Sequence, residues 1–155
     1  MAGRIYTITF ASVSVTNAQD LITVFAGAKA FRVHSLTLGQ ATATGVGNLN
    51  VSLNRLTGTV TAGSGGAAPT PIAVDVNDTA AAVTAAVNNT ARTTTSGSKQ
   101  VIVADVYNVI NGYLYLPPAE DRITVAPNQA FVVSLDSTPA TAETMSGTLT
   151  IEELF

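Results

Sequence analysis

The sequence has 155 residues, of which 11% are charged, a formal net charge of −3 and no cysteine. A chain of this length fits one domain and can bury roughly 70% of the surface its unfolded form exposes, so it needs no disulfide or metal to fold. Zinc–thiolate sites, iron–sulfur clusters and thiol nucleophiles are excluded by the missing cysteine, and a phosphate-tracking groove by seven basic residues scattered between Arg4 and Arg122.

The dominant hydrophobic period is two. Residues 4–10 (RIYTITF) place Tyr6, Ile8 and Phe10 on one face of a strand. The start enters this pattern with no apolar leader, so no secretory signal is expected, and the Asn-x-Ser/Thr triplets at Asn50, Asn77 and Asn88 read as chance matches in an Asn- and Thr-rich chain. Residues 21–25 (LITVF) and 31–38 (FRVHSLTL) follow as strands. Residues 49–55 alternate Leu49, Val51 and Leu53 with Asn50, Ser52 and Asn54, the pattern of a half-buried strand. No apolar run approaches the roughly 20 residues of a membrane-spanning helix.

Between residues 57 and 100 the alternation stops. Residues 57–71 (TGTVTAGSGGAAPTP) read as a long Gly-, Thr- and Pro-rich loop. Residues 78–88 (DTAAAVTAAVN) read as one short helix, with Asp78 capping its N-terminus and Val83 and Val87 forming a narrow apolar stripe. A helix of this length is marginal alone and must dock. The insertion is expected to cover a sheet face or edge, or to reach a neighbouring molecule. Strands resume at 101–106 (VIVADV) and 112–116 (GYLYL), then at 131–135, where Phe131, Val133 and Leu135 share a face. A last strand turns Met145, Leu149 and Ile151 inward and Thr148, Thr150 and Glu152 outward. Eight short strands between Gly, Pro and Asn turns predict one all-β domain over residues 1–155, an antiparallel, jelly-roll-like β-sandwich carrying the 57–100 insertion.

Catalytic chemistry finds little support. His34 is the only histidine; flanked by Val33 and Ser35 in a strand, it reads as a hydrogen-bonded structural residue rather than a general base. Gly63, Ser64, Gly65 and Gly66 lack the Gly-Lys-Ser/Thr ending of a phosphate loop and read as a mobile loop or arm. Asp75, Asn77 and Asp78 offer oxygens for calcium but lack the glycine and distal glutamate of an EF-hand. Adjacent carboxylates at Glu120–Asp121 and Glu152–Glu153 point to opposite faces if extended, and read as solvated charges. Tyr107, Tyr113 and Tyr115 precede Pro117 and Pro118; Tyr113 and Tyr115 share a face, either as core or as an interface anchor. No catalytic residue, metal site or cofactor is assigned.

Several stretches resemble small structural proteins of tailed-bacteriophage virions: Gly3–Phe10 (GRIYTITF), Gly63–Gly66 with Pro69-Thr70-Pro71, Asn88-Asn89-Thr90, Gly112-Tyr113 before Pro117, and Met145–Leu149 with Glu152-Glu153-Leu154. Within that group the resemblance implies a capsid decoration (cement) protein, a β-rich domain sitting where capsomers meet. Its implied partners are the major capsid protein and further copies of itself, as a homotrimer, on the capsid exterior, with no nucleic acid or membrane. Arms that pair with neighbours suit such a role, which makes Arg4, Tyr6, Gly63, Ser64, Gly65, Gly66, Pro69, Pro71, Tyr113 and Tyr115 the candidate interface residues. The alternative is a carbohydrate- or host-surface-binding β-sandwich of a phage appendage, with Tyr113 and Tyr115 as stacking platforms. A hydrolase comes third.

Overall fold

The computed structural model describes residues 3–41 and 47–155. In chain order its strands are β1 (Arg4–Val15), β2 (Gln19–Phe25), β3 (Phe31–Gln40), β4 (Asn48–Leu56), β5 (Val60–Thr61), β6 (Ile72–Ala73) and β7 (Thr84–Asn89). They continue with β8 (Thr94–Thr95), β9 (Lys99–Asn108), β10 (Tyr113–Tyr115), β11 (Thr124–Val125), β12 (Ala130–Leu135) and β13 (Glu143–Glu153). All eight expected strands are present. The only helical turn among the described residues is a short 3-10 segment at Ala119–Asp121.

Two antiparallel sheets face one another. Sheet I runs β10-β3-β13-β1-β6, with β11 also paired to β3, and sheet II runs β7-β2-β12-β4-β9. Their inward residues form one core in which Tyr6, Ile8, Phe31, Leu36, Leu53, Phe131, Leu149 and Ile151 are almost wholly buried. The alternation predicted for β13 holds along its full length: its odd-numbered residues are buried, while Thr144, Ser146, Thr148, Thr150 and Glu152 are only partly covered. Each fully buried aliphatic or aromatic side chain contributes about 1.5–3 kcal/mol by leaving water, and this set anchors both sheets.

The 57–100 segment corrects two expectations. Residues 78–88 form no helix; Thr84–Asn89 is instead the edge strand β7, paired with β2 from Asp20↔Asn89 to Phe25↔Thr84. Val83, Ala85 and Val87 are buried and Thr84 is exposed. The spacing of Val83 and Val87 suits a helix, but with Ala85 between them it suits a strand equally. The open edge of β2 offers a ladder of hydrogen bonds and a core face that an isolated eleven-residue helix lacks. Asp78 caps nothing helical; it forms an ion pair with Arg4, Nε to Oδ1 3.3 Å.

Nor is the Gly-rich stretch a free arm. Ser64 exchanges two backbone hydrogen bonds with Ala91, at 3.1 and 3.0 Å, and Ala67 exchanges two with Val87, at 3.0 and 2.8 Å. The segment thus runs against β7 and its continuation. A Cβ at Gly66 would overlap the Val87 carbonyl oxygen, and Gly65 takes φ +92°, so both positions require glycine. Further along, β6 joins sheet I and β7 joins sheet II, closing one side of the sandwich. The β5–β8 ribbon lies near a small second cluster of Leu56, Ala130 and Val132, with Val60 packed against it. All six residues of β12 are buried, on both faces.

Candidate functional site

A polar network pins the insertion to the outer face of sheet II. Asp20 is 2% exposed; its carboxylate accepts from the Thr93 backbone N–H (2.7 Å) and from the Ser134 hydroxyl (3.1 Å). Arg92 supplies the counter-charge. Its Nη1 lies 3.1 Å from Asp136 Oδ1 and 3.7 Å from Asp20 Oδ1, and its Nη2 donates to the Leu135 carbonyl at 2.7 Å. Asn54 Nδ2 reaches the hydroxyls of Ser52 and Ser134, and Ser52 donates to Asp136. The network ties the insertion to sheet II: its acids are matched by donors, and no histidine belongs to it.

Several other titratable groups are also paired. His34 Nε2 lies 2.9 Å from Glu152 Oε2 and 3.2 Å from Arg122 Nη1, the bonded strand residue that its sequence context suggested. The hydrogen bond from His34 leads in holding the Glu152 carboxyl below its usual range, and the Gly3 backbone N–H (3.0 Å) adds to it. Glu153, expected to be solvated, is 3% exposed; Lys29 Nζ stands 3.3 Å from it and the Ala82 N–H donates to it at 2.6 Å. Asp75 Oδ1 accepts from the backbone and side chain of Asn77, closing a local turn. Among the described residues no three His, Cys, Asp or Glu side chains gather where they could hold a metal ion, and no helix is long and apolar enough to cross a membrane.

The candidate interface residues do not converge. Tyr6 is wholly buried and its hydroxyl donates to the Thr79 carbonyl at 2.9 Å, so it supports the 72–79 segment from beneath. Arg4 braces the same segment through Asp78 and the Thr79 hydroxyl. Tyr113 is buried against Tyr107, with ring centroids 5.6 Å apart, whereas Tyr115 is half-buried. Burial pushes the phenols of all three upward, that of Tyr107 to about 12 with help from Glu143. Gly65, Gly66 and Pro69 line a groove of about 490 Å³ with Phe10, Val13 and Val87. Gly63 and Ser64 lie beside it on the same backbone pairing. Pro71 leads into β6 on the other side.

What period-two reading missed is the sandwich's two lateral edges. On one, Ile72, Val74 and Val76 are 63, 64 and 92% exposed. On the other, Val101, Ile102 and Val106 of β9 and Ile110, Leu114 and Leu116 around β10 are all exposed. These edges are opposite one another, because β6 and β10 end sheet I while β7 and β9 end sheet II, and the Tyr107–Tyr113 contact places β9 over β10. Of these residues, Val101 and Val106 lie on the outer face of sheet II, opposite Asn54 and Asn50, and Leu114 on that of sheet I, opposite Thr37. The available signal was the apolar run Val101-Ile102-Val103, which was read only as part of a strand.

Compared with protein-family models, curated proteins and solved structures, the chain matches none.

Proposed function

We propose that this protein is a non-enzymatic structural component of a bacteriophage virion that binds the capsid surface as a decoration protein, in association with copies of itself. One observation carries the reading: a rigid, sparsely charged sandwich leaves its exposed aliphatic residues on two opposite edges. Such edges serve contact rather than chemistry, and low charge lowers the desolvation cost of covering a broad surface. The sequence resemblance supplies the virion context. A contact repeated at many lattice points can be weak singly and strong by avidity. The sugar-stacking alternative loses its paired platform, since Tyr113 is 8% exposed and engaged with Tyr107.

The test is a reconstruction of capsids incubated with purified protein. The expected result is density for this chain at repeated lattice positions, in numbers comparable to the coat protein. A few copies confined to the tail, or no binding at all, would overturn the reading.

A further inference from the structure

Sheet I is incomplete beside β1. Its outermost strand, β6, is two residues long and pairs only with Tyr6 and Thr7. The Val74 N–H donates to the Ile5 carbonyl at 2.9 Å, so Ile5 and Thr7 turn their main-chain groups toward this edge. Because a paired strand alternates, Thr9 turns its N–H and C=O the same way. Among the described residues no strand pairs with that side of β1 from Ile8 to Val15. Thr9 and Ala11 are exposed. The bulge between Phe10 and Val13, where Ser12 takes φ +54°, ends the open stretch after a few residues. The edge has room for one short strand.

The same edge lines the groove of about 490 Å³, together with the Gly65–Pro69 segment and Asn88. Phe10, Val13, Val87 and Pro69 make the groove apolar, and none of its lining residues is charged. A volume of this size is that of a ligand-binding cleft. Its polar groups are unfinished. Asn88 is 6% exposed, and Gln19 Nε2 donates to its Oδ1 at 3.4 Å. Its Nδ2 has no hydrogen-bond partner among the described residues. A buried donor without an acceptor is destabilising, and an occupant that brings carbonyl oxygens supplies one.

We infer that this groove receives an extended, uncharged peptide segment of a partner protein, which adds to sheet I as a strand beside Thr9 and turns alternate apolar side chains toward Phe10, Val13 and Val87. Hydrogen-bond complementarity selects a polypeptide over a hydrocarbon ligand: the open main chain of β1 presents donors and acceptors together, as another strand requires, and Asn88 adds a further donor. The neutral lining selects a segment without charged side chains, which would lose water there and find no counter-ion. This inference rests on the contact role in the proposed function and specifies the chemistry of one contact.

The probe is the blocked peptide acetyl-Thr-Val-Thr-Val-Thr-amide, titrated into the full chain and followed by NMR. Saturable shifts are expected at the amides of Thr9, Ala11, Gly66 and Asn88, with hydrogen exchange at Thr9 slowed. The fully N-methylated peptide keeps the side chains but has no amide hydrogen, and is expected to bind roughly tenfold more weakly. Ala11→Lys puts on an exposed position the charge that natural sheet edges use against strand addition; it is expected to weaken binding roughly tenfold and leave the melting temperature unchanged. Equal binding of the two peptides would mean apolar contact without strand pairing and overturn the proposal. So would undiminished binding to the Ala11→Lys variant, shifts centred elsewhere, or no shifts with the peptide at millimolar concentration. Peptide binding without particle binding would defeat the decoration reading and leave the groove's role intact; particle binding without peptide binding would do the reverse.

Discussion

His34 is the extra residue of a bulge in β3, and that bulge aims its ring at Glu152. On β13, Thr150 pairs with Ser35 and Ile151 with Val33, so His34 has no opposite number in the ladder. Released from the pleat, its Nε2 comes within 2.9 Å of Glu152 Oε2.

This pair gives the protein a defined acid response. With its pKa lowered on folding, the Glu152 carboxyl contributes stability that is fully present above its unfolded value of 4.5 and is lost as pH falls through the depressed folded value. Replacing His34→Ala removes the leading cause of that depression. Urea titrations from pH 7 to pH 3 are expected to show the variant less stable near neutrality, with the gap closing below pH 4.5. A gap independent of pH would refute the linkage.

Tyr107 gives the opposite response at high pH. Its hydroxyl is buried without a hydrogen-bond partner among the described residues, and its pKa is pushed from 10.0 to about 12. The folded state thus holds this proton more tightly than the unfolded state. The contribution is complete below pH 10 and falls by about 1.4 kcal/mol per pH unit until the folded group ionises. Tyr107→Phe is expected to flatten that alkaline decline and to leave stability at pH 7 unchanged or higher, since it deletes an unsatisfied buried group. Thermal melts between pH 8 and pH 12 check both points.

Arg92→Ala tests how firmly the insertion is held. The change strips the counter-charge from the buried Asp20 and from Asp136, and frees the Leu135 carbonyl. Asp20 keeps its bonds to Thr93 and Ser134, so the expected loss is about 2 kcal/mol, below that of a fully orphaned buried charge. Limited proteolysis is expected to open new cuts within residues 57–100 while the sheets stay intact.

Gly66→Ala is expected to destabilise by about 1–3 kcal/mol, because its Cβ overlaps the Val87 carbonyl oxygen and must push the Gly-rich segment off β7. Gly47, where an added Cβ meets nothing among the described residues, is the matched control. Equal effects at both positions in denaturant unfolding would show that the docked segment contributes nothing.

Most of the sandwich was legible because one face of each strand meets the core. The alternation of Leu49, Val51 and Leu53 with polar partners, and that of Leu149 and Ile151, needed no knowledge of neighbours. The Thr84–Asn89 strand was not legible, since Val83 and Val87 satisfy two periods and the choice was made by β2, some 60 residues earlier. The same limit hid the burial of Glu153. A sequence shows which residues alternate, but not that Lys29 and Ala82 will converge on one carboxylate. The apolar edges escaped for a related reason: a run such as Val101-Ile102-Val103 looks identical in a central strand and in an edge strand.

The pairing of β1 with β13 has a kinetic consequence. Arg4 lies opposite Glu153 and Phe10 opposite Gly147, in the middle of sheet I rather than at its rim. The two parts of that sheet, β10-β3-β13 and β1-β6, cannot be joined until strands separated by almost the whole sequence meet. The loop-closure entropy is met before most of the sheet's hydrogen bonds form. Refolding is therefore expected on the millisecond-to-second scale of non-local β proteins, with the centre of sheet I among the last parts to form.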